Sequence, residues 1–109
     1  MVFLGSRDGV SSTPNQVIDV MPPGVFWNLI FRVGDFNGDG LGDVAVSVHF
    51  PGSVAYPVGA VDVYLGERGG LQTTPSIRIH PIMPDVPRWY FEGSIAVGDL
   101  DGDGFSDLV

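Results

Sequence analysis

An all-β fold built from repeated four-stranded antiparallel blades is predicted by three observations on this 109-residue chain. A nine-residue acidic loop occurs twice, as Asp35-Phe-Asn37-Gly-Asp39-Gly-Leu41-Gly-Asp43 and as Asp99-Leu-Asp101-Gly-Asp103-Gly-Phe105-Ser-Asp107. The residues that flank the first loop, Phe31-Arg-Val33 before it and Val44-Ala-Val46-Ser-Val48 after it, alternate with the two-residue period of strands. A longer pattern repeats around the loops: Val2-Phe-Leu-Gly5-Ser-Arg-Asp-Gly-Val10-Ser-Ser-Thr-Pro14 realigns with Val63-Tyr-Leu-Gly66-Glu-Arg-Gly-Gly-Leu71-Gln-Thr-Thr-Pro75. That realignment spans 61 positions, from Val2 to Val63, while the loops stand 64 apart, from Asp35 to Asp99. The three extra residues fall in the segment holding Pro81, Pro84 and Pro87, where a surface loop absorbs them at little entropic cost. A unit of this length carrying several short strands points to a β-propeller array rather than a helical solenoid.

The elements follow in order. Residues near Val2 to Leu4 and Gln16 to Val20 read as strands three and four of a first, partial blade within 1–24. Trp27 to Val33, Asp43 to Val48, Ala60 to Leu65 and Ser76 to His80 make a complete blade within 25–85. Ser94 to Val97 and Phe105 to Val109 are strands one and two of a further partial blade within 86–109. The chain therefore holds about two blades' worth of strands, with one blade split between its ends. With 16 Gly and 9 Pro set between short β-branched runs, many turns and little helix are expected.

Each acidic loop has the donor set of a calcium site. Oxygen-bearing side chains at positions 1, 3, 5 and 9 (Asp35, Asn37, Asp39 and Asp43; Asp99, Asp101, Asp103 and Asp107) converge hard oxygens on one point. The position-7 carbonyls of Leu41 and Phe105 supply a backbone ligand by analogy with the EF-hand, with water completing the shell. Gly40 and Gly104, at position 6, permit the backbone reversal that this convergence needs. Two Ca²⁺ per chain are expected. Mg²⁺ fits less well, because it demands a tighter octahedron and keeps more water. A turn made only of good turn formers would gain nothing from three carboxylates in the first loop and four in the second, which repel one another without a cation. These are not EF-hands: position 12 of the first loop is Val46, and strands rather than helices flank it.

Composition narrows the function classes. The formal net charge is −8, from 13 acidic and 5 basic residues, and seven of the acids lie in the two loops. So few Lys and Arg argue against a nucleic-acid surface. No run reaches the length of a membrane span, and Met1-Val-Phe-Leu-Gly-Ser-Arg lacks the long apolar region of a signal peptide. Cysteine is absent, so the redox compartment is unreadable. His49 and His80 stand at no metal or catalytic spacing, and no nucleophile elbow, zinc motif or phosphate loop is present, so no catalytic residues are expected. Trp27 and Phe91, equivalent at the loop spacing, read as blade-packing aromatics, and Trp89 and Tyr90 as a candidate contact patch.

Phe91-Glu-Gly-Ser-Ile95-Ala-Val-Gly-Asp99 running into the second loop, and Gly59-Ala-Val-Asp-Val63-Tyr-Leu-Gly66, resemble the FG-GAP repeats of integrin alpha-subunit propellers and related bacterial calcium-binding repeat proteins. The resemblance implies a loop joining the first two strands of a four-stranded blade, mainly structural calcium ions, and an interaction or adhesion scaffold with a protein or glycan ligand. Weak calcium sites fill only where calcium is abundant, so an extracellular or periplasmic location is expected. Two further readings stand beside it: a self-assembling unit, natural or designed, whose only partner is itself, and a non-catalytic fragment of a larger enzyme. In the first, head-to-tail pairing of the partial blades closes a ring, with three or four chains favoured because propellers carry about 4 to 8 blades. Otherwise, missing blades of a parent protein cover the same edges.

Overall fold

Strand-length apolar runs punctuated by glycine and proline leave the backbone N–H and C=O groups to be satisfied by pairing between strands. The computed structural model describes residues 1–20, 29–49, 59–79 and 95–109, and these residues contain ten strands and no helix. The strands are β1 (Gly5–Ser6), β2 (Gly9–Val10), β3 (Ile30–Gly34), β4 (Asp43–His49), β5 (Gly59–Tyr64), β6 (Gly66–Glu67), β7 (Gly70–Leu71), β8 (Ile77–Ile79), β9 (Val97–Gly98) and β10 (Asp107–Leu108). At the centre lies one antiparallel sheet in the order β3-β4-β5-β8, a blade in which β3, β4 and β5 follow one another in sequence and β8 joins β5 after the intervening β6–β7 hairpin. The pairs β1–β2, β6–β7 and β9–β10 are two-stranded, and no closed propeller is formed among the described residues.

The sequence repeat reappears as repeated hydrogen bonding. Val63 pairs with Ile77 in the central sheet, and Val2 bridges Gln16 at the same spacing. Ser76 N–H donates to the Val63 carbonyl at 2.8 Å, and Asn15 N–H donates to the Val2 carbonyl at 2.9 Å. Around the loops, Gly34 faces Asp43 as Gly98 faces Asp107, and Val33 faces Val44 as Val97 faces Leu108. The amino-terminal segment is less regular than expected: Val2 to Leu4 and Gln16 to Val20 share a single bridge. The physical reason is support, since β5 is paired on both sides, by β4 and β8, while among the described residues Val2 to Leu4 is paired on one side.

Because directly opposed residues share a face, the register sorts the blade into two surfaces. Ala45, Val61 and Val63 form one, packed with Ile95, Ile30, Phe36, Leu65 and Leu108. Val46, Val48 and Tyr64 form the other, packed with Ile18, Val20, Leu29 and Val44. The central sheet is thus sandwiched between the amino-terminal and carboxy-terminal segments, which explains the run of apolar residues in β4 and β5 buried on both faces. Each fully buried Val contributes about 1.5–3 kcal/mol.

Two polar devices fasten this core. Asp62 is fully buried in β5 and is clamped by Arg78 of β8, Nε and Nη2 lying 2.6 Å from its two oxygens. That bond holds the Arg78 guanidinium above its usual value. Gln16, beyond the amino-terminal bridge, applies its side-chain amide to Leu71 as a strand would: Nε2 donates to the Leu71 carbonyl at 2.6 Å and Oε1 accepts from Leu71 N–H at 2.8 Å. A Cβ at Gly70 would meet the Gln16 amide, so a side chain there would displace that amide from Leu71. Trp27, His80, Trp89, Tyr90, Phe91 and Ser94 lie outside the described residues, as do Pro51-Gly52 and the segment of Pro81, Pro84 and Pro87.

Candidate metal centre

Both acidic loops join two antiparallel strands, β3 to β4 and β9 to β10. Their backbones are drawn round the carboxylate at position 1. Asp35 Oδ1 accepts from Gly38 N–H (2.7 Å) and Asp39 N–H (3.1 Å), and its Oδ2 from Gly40 N–H (2.8 Å). Asp99 repeats this with Gly102 (2.8 Å), Asp103 (3.1 Å) and Gly104 (3.0 Å). Position 3 accepts from the N–H of position 5, through Asn37 Oδ1 at 3.1 Å and Asp101 Oδ1 at 3.2 Å. Position 5 accepts from the N–H of position 7: Asp39 from Leu41 and Asp103 from Phe105, both at 2.8 Å. Gly40 and Gly104 have φ of +81° and +90°, as position 6 requires, and the glycines at position 4, Gly38 and Gly102, are left-handed as well at +73° and +79°.

Asp99, Asp101 and Asp107 each offer an oxygen within 4.8 Å of the others, a spacing fit for one cation; Asp103 stands outside that trio. In the first loop Asn37 occupies the place of Asp101, and its Nδ2 donates to Asp39 Oδ2 at 2.9 Å. Leu41 and Phe105 sit on the loop rims, and the Phe105 ring lies against Gly38, so the two loops touch. Ser106 joins them further, its N–H donating to the Asp35 carbonyl at 2.8 Å while its Oγ accepts from Asp35 N–H at 3.1 Å.

Position 9 holds a residue whose second task the spacing did not reveal. Asp43 is fully buried, with Oδ2 accepting from Phe36 N–H at 2.8 Å and Oδ1 from Gly66 N–H at 2.7 Å. It therefore closes its own loop and ties that loop to the β6 end of the next hairpin. Gly66 must be glycine, since a Cβ there would stand 2.5 Å from the Gly42 carbonyl oxygen. Asp107 closes the second loop through Leu100 N–H at 2.7 Å, but has no counterpart to Gly66 among the described residues.

Nearby, burial and then the Asp62 carboxylate push the Tyr64 phenol above its usual value. Tyr64 is thus a core residue kept neutral, and none of these groups forms a nucleophile and base pair.

Comparison with known proteins agrees with this geometry. Integrin alpha-PS5 of Drosophila melanogaster is 37% identical over 88 residues, 77% of this chain and 8% of that protein. Integrin alpha-PS3 of the same fly is 35% identical over 88 residues, 77% of this chain and 7% of that protein. Integrin alpha-5 of Xenopus laevis is 32% identical over 105 residues, 94% of this chain and 10% of that protein. No protein-family model and no solved structure matches the chain. The chain is an integrin alpha-like region of the FG-GAP type. It spans a tenth or less of the length of these relatives.

Proposed function

We propose that this chain is a calcium-binding β-propeller repeat module of an adhesion or interaction scaffold, and that its two Ca²⁺ ions are structural. The single observation that carries the reading is the second copy of the loop, in which the turn of carboxylates about a left-handed backbone recurs bond for bond. Asp35, Asn37, Asp39, the Leu41 carbonyl and Asp43 hold one ion. Asp99, Asp101, Asp103, the Phe105 carbonyl and Asp107 hold the other. Oxygen-only ligands in this number suit Ca²⁺ better than Mg²⁺. Bound there, the ions neutralise carboxylates gathered at one edge of the sheets and fix the strand pairs that emerge from each loop. Residues 1–24 and 86–109 act as halves of blades around a complete blade at 25–85.

The module works by presenting loops on a rigid array, without catalysis. Its similarity to integrin alpha chains favours a protein or glycan partner and an extracellular or periplasmic location. Among the described residues no helix is long and apolar enough to cross a membrane.

Thermal melting in EGTA and in millimolar Ca²⁺ tests the proposal. Calcium at about 100 times its dissociation constant stabilises by about 2.7 kcal/mol for each site, raising Tm by an amount that Mg²⁺ reproduces poorly. Superimposable melting curves would sink it.

A further inference from the structure

The two acidic loops meet at a residue that is not a metal donor. Ser106, at position 8 of the second loop, holds both backbone groups of Asp35, at position 1 of the first. Its N–H donates to the Asp35 carbonyl at 2.8 Å, and its Oγ accepts from Asp35 N–H at 3.1 Å, across 71 positions of chain. Gly34 makes room for this approach. A Cβ there would stand 2.8 Å from Cβ and Oγ of Ser106 and from Val97, whereas one at its counterpart Gly98 would meet nothing within 4 Å. The Phe105 ring lies against Gly38, so positions 7 and 8 of the second loop touch positions 4 and 1 of the first. At position 8 the first loop has Gly42, which carries no hydroxyl to offer a neighbour.

What Ser106 holds is the hub of the first loop. The Asp35 carboxylate accepts from the N–H groups of Gly38, Asp39 and Gly40, so fixing the Asp35 backbone fixes the point about which that loop turns. Ser106 is placed in turn by its own loop. It stands between Phe105, whose carbonyl is a donor in the calcium reading, and Asp107, whose Oδ2 closes the second loop on Leu100 N–H. Ordering either loop therefore removes part of the conformational entropy cost of ordering the other. Charge acts in the opposite sense, since an ion in one loop cancels part of the negative field that draws an ion to the other. Asp39, Asp99, Asp101 and Asp103 are exposed, however, and salt screens such charges beyond about 8 Å at physiological ionic strength. The Ser106 bonds are direct and partly buried, so the mechanical effect prevails.

We infer that the two calcium sites are coupled through Ser106, a positioning residue, so that filling either loop raises the affinity of the other. By linkage the effect is reciprocal: the second loop strengthens the first by the same factor as the first strengthens the second. Neighbouring loops of this kind then order together rather than one at a time, and the contact between the two strand pairs tightens over a narrow range of calcium concentration.

The inference rests on the calcium reading above, and calorimetric titration of the metal-free chain with Ca²⁺ at physiological salt separates the two. The wild type should take up two ions cooperatively. Asp99→Ala should leave one ion, held by the first loop about tenfold more weakly than in the wild type, and Asp35→Ala should weaken the second loop by the same factor. Ser106→Ala keeps every donor but loses the Oγ bond, and Gly34→Ala displaces Ser106 without touching a donor. Both should bind two ions with reduced cooperativity. Gly98→Ala, whose methyl group enters open space, is the control and should bind as the wild type does. If Asp99→Ala loses its folded circular dichroism spectrum, Ser106→Ala decides the matter by itself. Two ions bound independently by the wild type, or cooperativity undiminished in Ser106→Ala, would overturn the coupling and leave the calcium reading standing. A wild-type chain that takes up no calcium overturns both.

Discussion

The loops at Asp35–Asp43 and Asp99–Asp107 are the same device in two settings. Their backbone-to-carboxylate hydrogen bonds correspond residue for residue, down to the approach of position 9 to the N–H of position 2 at 2.8 and 2.7 Å, and within the loops the bond from Asn37 Nδ2 to Asp39 alone lacks a counterpart. The larger difference is outside them. Asp43 is buried and reaches a second donor 23 residues along the chain, whereas Asp107 is only half-buried and has no such partner among the described residues. The comparison teaches that the ninth carboxylate does two separable jobs, closing a loop and fastening that loop to the following hairpin. A motif match alone credits it only as a ligand.

The largest test of that distinction is a pair of substitutions measured in EGTA, where cation binding cannot contribute. Asp43→Ala removes two charge-assisted hydrogen bonds from a buried site and should cost about 3–5 kcal/mol, while Asp107→Ala removes one and should cost about 1–2 kcal/mol. Equal losses by urea denaturation would mean that the Gly66 contact contributes nothing. Next in size is the cation. Asp35→Ala and Asp99→Ala should each lower the calorimetric stoichiometry from two Ca²⁺ per chain to one, with about 2.7 kcal/mol of calcium-dependent stability lost at saturating metal. Asp8→Ala, in the exposed β1–β2 turn, is the control and should retain both ions.

Smaller effects sharpen the contrast. Gly38→Ala and Gly102→Ala both force a Cβ onto a left-handed backbone, at about 1 kcal/mol. Gly38 also abuts the Phe105 ring, while Gly102 faces open space, so the first change should cost more in a thermal melt and a Phe105→Ala background should erase the difference. The smallest effect is that of Tyr64. Its phenol titrates above the usual value near 10 in the folded protein, so its contribution to stability is fully present below pH 10 and is lost as pH rises through the folded value. Tyr64→Phe should flatten the fall in stability measured by urea denaturation above pH 10. An unchanged slope would show that burial does not hold this proton.

Much of this architecture was legible because it repeats. Two spacings in the sequence, 61 and 64, turned out to be two sets of matched hydrogen bonds, and the alternation through Val44 to Val48 placed β4 correctly. The loops were legible because alternating oxygen-bearing side chains and left-handed glycines leave a dense local signature. Three features left none. Asp62 and Arg78 meet across strands 16 residues apart, and neither residue type signals a partner at that spacing. Gln16 acts as a surrogate strand only because Gly70 leaves room for its amide. The hairpin of β6 and β7 has no strand-like signature, since Gly66-Glu-Arg-Gly-Gly-Leu71 carries too few apolar residues to announce a pairing of its own.

The order of strands in the central sheet also governs how the chain is assembled in time. Since β3, β4 and β5 follow one another both along the chain and across the sheet, and β8 joins β5 after the β6–β7 hairpin, pairing can begin at one hairpin and advance strand by strand. The Gln16 to Leu71 contact bridges 55 residues and belongs to the end of that sequence. A contact formed that late bears on how fast the folded state opens more than on the speed of its formation.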